Sequence, residues 1–342
     1  MKAFLIHQHG DLDQVRYEEI DDPEIQPGSV RVKTQATALN HLDLWVVRGL
    51  PGRDLKMPHV LGSDGAGIVE EVGAGVSRFS VGDRVMINAV LSCGECEFCM
   101  QGEQSMCVRL RLVGEQVGGT HAELLVLPEA NLEKIPENVS FQEAAAFSLV
   151  FQTAWRMLKT RARIQSGDDV FIHGIGGGVS SAALSIVKCL GGRAFVSSSS
   201  DEKLQRAKES GADFAYNYTQ TDVVQEVMGE TGKRGVDIVV DSVGAATWVQ
   251  SLKMAAKGGR IVTCGATSGP SPETAIRLIF WNHLSILGST MSNRKEHQEI
   301  IALLGQGKLK PVIDQEFALS EGRSALEHLQ KQDQYGKVVL IP

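Results

Sequence analysis

The stretch Val170-Phe171-Ile172-His173-Gly174-Ile175-Gly176-Gly177-Gly178-Val179-Ser180 runs from apolar residues through glycines into a helix-forming segment. Apolar Val170–His173 predicts a strand, and Ser180 to about Leu190 predicts a helix. Glycines at such a junction let the backbone approach a pyrophosphate, and the helix N-terminus offers unpaired N–H groups and the positive end of a dipole. The match to G-x-G-x-x-G is inexact: counted from Gly174, the sixth position is Val179, and Ser180 holds the usual helix-packing glycine. A glycine-rich turn alone is often only a turn. Here it sits in a strand–helix alternation: strand Ala194–Ser197, helix Glu202–Ser210, then strands at Ile238–Asp241, Arg260–Cys264 and Ile286–Leu287. That alternation predicts an α/β, doubly wound parallel sheet. Gly174, Gly176, Gly177, Gly178 and Val179 are then the candidate cradle for a dinucleotide.

The tip of the second strand discriminates between dinucleotides. An acid about 20 residues past the loop would accept the ribose 2′-OH of NAD. Ser198 lies 20 residues beyond Gly178, inside the run Ser197–Ser200, with Lys203 close behind. Hydroxyls accept a 2′-phosphate that a carboxylate would repel, and Lys203 could supply charge. NADP(H) is the expected cofactor. Serines capping a helix are compatible with that reading.

Working outward, residues before about Phe141 read as short strands: Ala3–Ile6, Val30–Ala36, Gly67–Val72, Arg84–Asn88 and Ala122–Val126. Turn pairs such as Pro27-Gly28 and Gly82-Asp83 separate them, predicting a β-rich, barrel-like domain. Phe141–Leu158 reads as a helix, with Ser140 and Glu143 as a capping box. The tail from about Glu299 returns to mixed helix and strand. The 342 residues suit roughly two domains of ~150 residues each. Hydrophobic residues make up 43% and charged residues 22%, as in a soluble globular protein. A net charge of −7 with no basic block argues against nucleic-acid and anionic-membrane partners. No apolar run reaches the ~20 residues of a membrane span, and MKAFLIHQHG is too short for a signal-peptide core. A cytoplasmic address is expected.

Four of the six cysteines, Cys93, Cys96, Cys99 and Cys107, fall within fifteen residues, with Gly94 and Gly102 allowing tight turns. In a cytoplasmic chain such clustering indicates metal rather than disulfides. Four thiolates make a closed tetrahedral zinc site with no position for substrate, so one structural Zn²⁺ is expected. An iron–sulfur cluster is the minor alternative.

Together with Leu61–Glu70 (LGSDGAGIVE), Gly82–Val85, Val236–Gly244 (VDIVVDSVG) and Gly336-Lys337, these features resemble the medium-chain dehydrogenase/reductase superfamily, the zinc-containing alcohol dehydrogenases and quinone oxidoreductases, over essentially the whole chain. The resemblance implies a GroES-like catalytic domain over 1–150 carrying the zinc lobe at about 91–110. A Rossmann domain follows over 151–291, then a return to the catalytic domain over 292–342, with the active site in the cleft between them. It also implies cofactor contacts from Thr153, Ser199, Ser200, Lys203, Tyr218, Ser242, Gly265 and Lys337, and pairing through edge strand Ser285–Ser289 into a homodimer or homotetramer.

The departures from that pattern concern the catalytic zinc. By resemblance its ligands would stand at Asn40, at Ser63 and near Leu149, and none of these is a soft or imidazole ligand. The relay positions hold Leu42 and Trp45. Asn40 and Asp43 instead match the zinc-free quinone and enoyl reductases, so Asn40, Asp43 and Asp64 are the candidate catalytic residues. Asn40 is the one expected to polarise the substrate oxygen or fix the nicotinamide ribose. His173 is expected to be a hydrogen-bonded core residue.

The expected activity is NADPH-dependent hydride transfer to an activated alkene (enone or enoyl) or quinone, a small-molecule substrate. Two alternatives remain at this level. One is an alcohol dehydrogenase with an unorthodox metal site drawn from His41, Asp43, His59 and Asp64. The other is a non-catalytic NADPH-binding protein.

Overall fold

The computed structural model describes every residue of 1–342 except Pro51 and Arg53. In it the glycine-rich stretch becomes strand Asp169–Ile172, a loop, and helix Gly178–Cys189. Val170, Phe171 and Ile172 are fully buried because the strand lies inside a sheet with neighbours on both edges. Six parallel strands form this sheet: Asp169–Ile172, Arg193–Ser198, Phe214–Asn217, Val236–Val240, Ala255–Thr263 and Ser285–Gly288. Counted in chain order, they lie in spatial order 3-2-1-4-5-6. Crossovers run in opposite directions from the first strand, so a switch point opens between strands one and four, where open α/β sheets bind their ligands. Phe195 stacks on Phe214 with ring centroids 4.5 Å apart. Phe171, Val239, Leu252, Met254 and Ile261 close a core on one face. Each large side chain buried there contributes about 1.5–3 kcal/mol.

This sheet belongs to one of two compact units, Val150–Met291. The other comprises Met1–Leu149 and Ser292–Pro342 and is built on antiparallel β structure. Its seven-stranded sheet centres on strand Ser29–Ala38, which pairs with Asp64–Val72, with Leu124–Pro128 and with the C-terminal strand Lys337–Ile341. The last pairing, Val339 opposite Ala38 and Leu340 opposite Thr37, carries Lys337 to the end of strand Ser29–Ala38. Phe4, Ile6, Leu39, Leu44, Val47, Leu61, Leu326 and Leu340 pack into a core beneath it. The two units are the β-rich part and the doubly wound α/β part expected from the sequence.

Several elements differ in extent from the sequence reading: the strand read as Gly67–Val72 begins at Asp64, and the strand read as Arg260–Cys264 begins at Ala255. The strand expected over Ala122–Val126 runs over Leu124–Pro128. His121 and Glu123 are tied instead to the first strand, by Phe4 N–H donating to His121 O at 2.8 Å and Glu123 N–H to Lys2 O at 3.0 Å. The helix expected over Phe141–Leu158 is α-helical to Trp155 and continues as a wider π turn through Arg161. Its capping box is present: Glu143 N–H donates to Ser140 Oγ at 3.1 Å, and Ser140 N–H to Glu143 Oε2 at 3.0 Å.

Candidate active site and metal lobe

The cysteine lobe follows strand Val90–Leu91, with a short helix at Glu97–Met100. The Sγ atoms of Cys93, Cys96, Cys99 and Cys107 all lie within 4.8 Å of one another, and Cys93 Sγ is 3.8 Å from Cys99 Sγ. Tetrahedral zinc with Zn–S near 2.3 Å requires S···S edges of about 3.8 Å, so the donor set fits that ion. Backbone N–H groups of Cys93 and Arg109 point at Cys107 Sγ, and that of Cys96 at Cys93 Sγ, at 3.3–3.4 Å. Such donors favour thiolate. The Cys93 thiol is drawn down to about 5, first by the backbone N–H of Glu95 and then by Arg109. Burial pushes Cys99 up to about 11. Among the described residues, no other set of three or more His, Cys, Asp or Glu ligand atoms is gathered closely enough to hold a metal.

In the same unit, strand Ser29–Ala38 is followed after Leu39 by Asn40, which N-caps helix His41–Arg48. Asp43, fully buried, completes the cap by accepting Asn40 N–H at 2.7 Å, and also accepts Gly62 N–H at 3.0 Å. Asp64, also fully buried, accepts Asn40 Nδ2–H at 2.9 Å and Leu149 N–H at 2.8 Å. The third donor to Asp64 is the Lys337 ammonium at 2.8 Å. Lys337 Nζ also donates to Asn40 Oδ1 at 2.6 Å and Leu39 O at 2.7 Å.

Three corrections follow. An ammonium has three N–H donors, and all three of Lys337's are committed to this network. In this arrangement Lys337 has no N–H left for the cofactor contact expected of it and stands as the countercharge of Asp64. Asp43 and Asp64 have no exposed surface, which does not fit the direct substrate contact expected of catalytic residues; both carboxylates are engaged within the protein. Asn40 is tied into the same network. Its carbonyl and one N–H are bound by Lys337 and Asp64, while the amide nitrogen's other contact is a long 3.5 Å approach to Ala38 O.

His41, Asp43, His59 and Asp64 do not converge as a ligand set. His59 Nε2 faces Gly114 O at 3.2 Å, and burial lowers its affinity for a proton. His41 lies edge-on to Trp45. Sequence reasoning missed His121, which is fully buried with Nδ1 2.8 Å from Thr37 Oγ1 and Nε2 3.7 Å from Asp43 Oδ2. No local motif marks it; only the fold brings it beneath Asp43.

In the parallel-sheet unit, Gly174 and Gly176 take φ of 63° and 118°, left-handed values that a side chain would strain. Gly177 caps helix Gly178–Cys189, and a Cβ there would meet nothing nearer than Ser180 Oγ at 3.4 Å. Ser180 Oγ donates back to Gly174 O at 2.9 Å, which explains why serine serves in place of the helix-packing glycine. The loop leads into the first N–H groups of a twelve-residue helix, the local geometry that suits an anionic group.

Strand Arg193–Ser198 ends in the serine run. Ser198 is buried and its Oγ accepts Ser200 N–H at 3.2 Å; Ser200 N-caps helix Asp201–Glu209; Ser199 is exposed. Tyr218 is 52% exposed and joins the run through its N–H to Ser198 O at 3.1 Å. Ser242 and Gly265 follow strands Val236–Val240 and Ala255–Thr263. Thr153, buried, has Oγ1 3.8 Å from Met291 Sδ. His173 is a buried core residue as expected, within 3.0 Å of Ser251 Oγ.

Comparison with known proteins agrees with this architecture. Residues 26–137 match the alcohol dehydrogenase GroES-like domain, and residues 178–306 match the zinc-binding dehydrogenase domain. An alcohol dehydrogenase of Geobacillus stearothermophilus is 32% identical over 342 residues, covering 99% of both chains. An acryloyl-coenzyme A reductase of Metallosphaera sedula is 31% identical over 343 residues, again covering 99% of each. A crystal structure of an NAD-dependent alcohol dehydrogenase superposes with a TM-score of 0.97 at 44% identity, covering all of both chains. With both domain models matched in order and relatives aligned from end to end, the chain belongs to the medium-chain dehydrogenase/reductase superfamily and is an oxidoreductase of its alcohol dehydrogenase and enoyl reductase branch.

Proposed function

We propose that this oxidoreductase reduces an activated alkene or a quinone with NADPH, and that its one zinc is structural, held by Cys93, Cys96, Cys99 and Cys107. The observation that carries the reading is the buried Asn40–Asp64–Lys337 network. Oxidising an alcohol requires something to lower the hydroxyl pKa or remove its proton, and zinc bound to soft or imidazole ligands does this. The three positions implied by resemblance hold Asn40, Ser63 and Leu149. Asn40 Oδ1 and Asp64 Oδ2 both bind the Lys337 ammonium.

Reduction of a conjugated acceptor makes a smaller demand. The nicotinamide supplies the hydride, and the acceptor carbon is already electrophilic. The protein then has to orient its partners and offer a donor to the developing oxyanion, a contribution on the order of 3 kcal/mol per donor. Asn40, held by Lys337 and Asp64 with one amide N–H only loosely engaged, is the group assigned to that task or to the nicotinamide ribose. The relationship to an acryloyl-coenzyme A reductase supports an activated alkene as the acceptor.

For the cofactor, the end of the second strand offers hydroxyls and Lys203 where an acid would select NADH. The relationship to an NAD-dependent alcohol dehydrogenase favours the second reading, an alcohol dehydrogenase using NAD. One assay separates them. NADPH oxidation with a panel of small enones and quinones is expected to show turnover, and primary or secondary alcohols are expected to show no EDTA-sensitive oxidation. Alcohol oxidation on added zinc, with enones ignored, would replace this proposal with the alcohol dehydrogenase.

A further inference from the structure

Beneath the switch point of the parallel sheet lies a chain of buried polar groups that the reaction does not use directly. Asp241, 1% exposed, follows strand Val236–Val240. Its Oδ1 accepts the N–H groups of Val243 and Gly244, each at 3.0 Å, so one oxygen shapes the loop after the fourth strand. Its Oδ2 accepts the Ser251 hydroxyl at 2.7 Å, and Thr247 Oγ1 lies within 3.0 Å of both oxygens. Ser251 is fully buried on helix Trp248–Met254. With its proton given to Asp241, its oxygen is left to accept from His173 Nε2 at 3.0 Å. Burial lowers the His173 pKa to about 4, against the opposing pull of Asp241, so the imidazole is neutral near pH 7 and this bond requires the Nε2–H form.

His173 is the residue immediately before Gly174, and its own N–H donates to Val240 O at 3.2 Å. A Cβ on Gly174 would stand 3.5 Å from Val243 Cγ2, so the loop that Asp241 shapes lies against the glycine loop. The same loop is joined to the one after the fifth strand, through Ser268 N–H to Val243 O at 2.8 Å and Ala245 N–H to Gly269 O at 3.1 Å. Strands one to three and four to six form the two mononucleotide-binding halves of such a sheet, which meet at this crevice.

We infer that His173, Ser251 and Asp241 form a positioning latch that fixes the nicotinamide-side loops against the pyrophosphate loop. The inference rests on the proposed function in requiring a bound dinucleotide. The latch acts on the relative placement of the two halves. Its loss therefore weakens a ligand that spans both halves and spares one confined to the adenosine half.

The test titrates wild type, Ser251→Ala and Asp241→Asn with NADPH and NADH, and with 2′,5′-ADP and 5′-AMP as adenosine-half probes. Asp241→Asn keeps the size of the side chain and serves if Ser251→Ala does not fold. A rise of about tenfold in the dinucleotide Kd, with the adenosine-half Kd within twofold of wild type, is the expected result. Equal losses for both ligand types, or no loss in a folded variant, would overturn the latch and leave the network a general scaffold. Wild type that binds neither NADPH nor NADH would instead defeat the proposed function itself, and the latch with it.

Discussion

Ser198 stands at the carboxyl end of the second parallel strand, where a carboxylate would receive the ribose of NADH. Ser198→Asp places a negative charge beside the position proposed for a 2′-phosphate and offers an acceptor to a 2′-OH. The variant should shift the NADPH-to-NADH affinity ratio by at least about tenfold toward NADH, measured as paired dissociation constants. A wild type that already prefers NADH would reduce the serine run to the helix cap it also forms. Lys337→Met should lower the melting temperature, because it removes the cation of a buried ion pair. Removing one partner of a buried, hydrogen-bonded ion pair costs about 3–5 kcal/mol, because the other charge is left in a medium that cannot solvate it. Asp64 retains the Asn40 amide and Leu149 N–H but has no other countercharge within salt-bridge distance among the described residues.

At the scale of the element, the cysteine lobe is a short stretch with little apolar packing of its own: Met100 and Val108 are 74% and 66% exposed. Its shape depends on what the four sulfurs hold, since metal binding to such a site is coupled to folding. Metal analysis should find one zinc per chain. Cys96→Ser or exhaustive chelation should lower the melting temperature by on the order of 5–10 °C. Two tightly held zincs per chain would overturn the structural-only reading of the metal. The glycine loop behaves differently, because its conformation is set locally by left-handed glycines and by Ser180 bonding back to Gly174 O.

On the whole-molecule scale, the parallel sheet ends in strand Ser285–Gly288, with one edge unpaired among the described residues. The preceding helix exposes Ile276, Phe280 and Trp281 by 62–69%, and Ile286 on the strand is 39% exposed. An open strand edge beside an apolar surface invites pairing, and a symmetric dimer would satisfy both. We expect a homodimer, or a tetramer assembled from it, by light scattering. A double substitution Phe280→Lys and Trp281→Lys should yield monomers that remain folded. A wild-type monomer at working concentration would refute the pairing.

Much of the site was legible because its chemistry is encoded locally. The cysteine spacing, the glycine loop with its strand and helix, the capping box at Ser140 and Glu143, and the serine run each depend on residues close in sequence. Backbone geometry and thiolate chemistry act over that range, so the sequence alone determined the α/β architecture, the glycine loop between strand and helix and the cluster of four cysteines. Tertiary structure alone decided the hydrogen-bond partners of Asn40, Asp43, Asp64 and Lys337. Lys337 reaches Asn40 across 297 positions through an antiparallel pairing of the C-terminal strand. The His173–Ser251 bond spans 78 positions. Whether a buried charge faces a substrate or another side chain depends on which acceptors the fold brings within about 3 Å, and no local pattern carries that information.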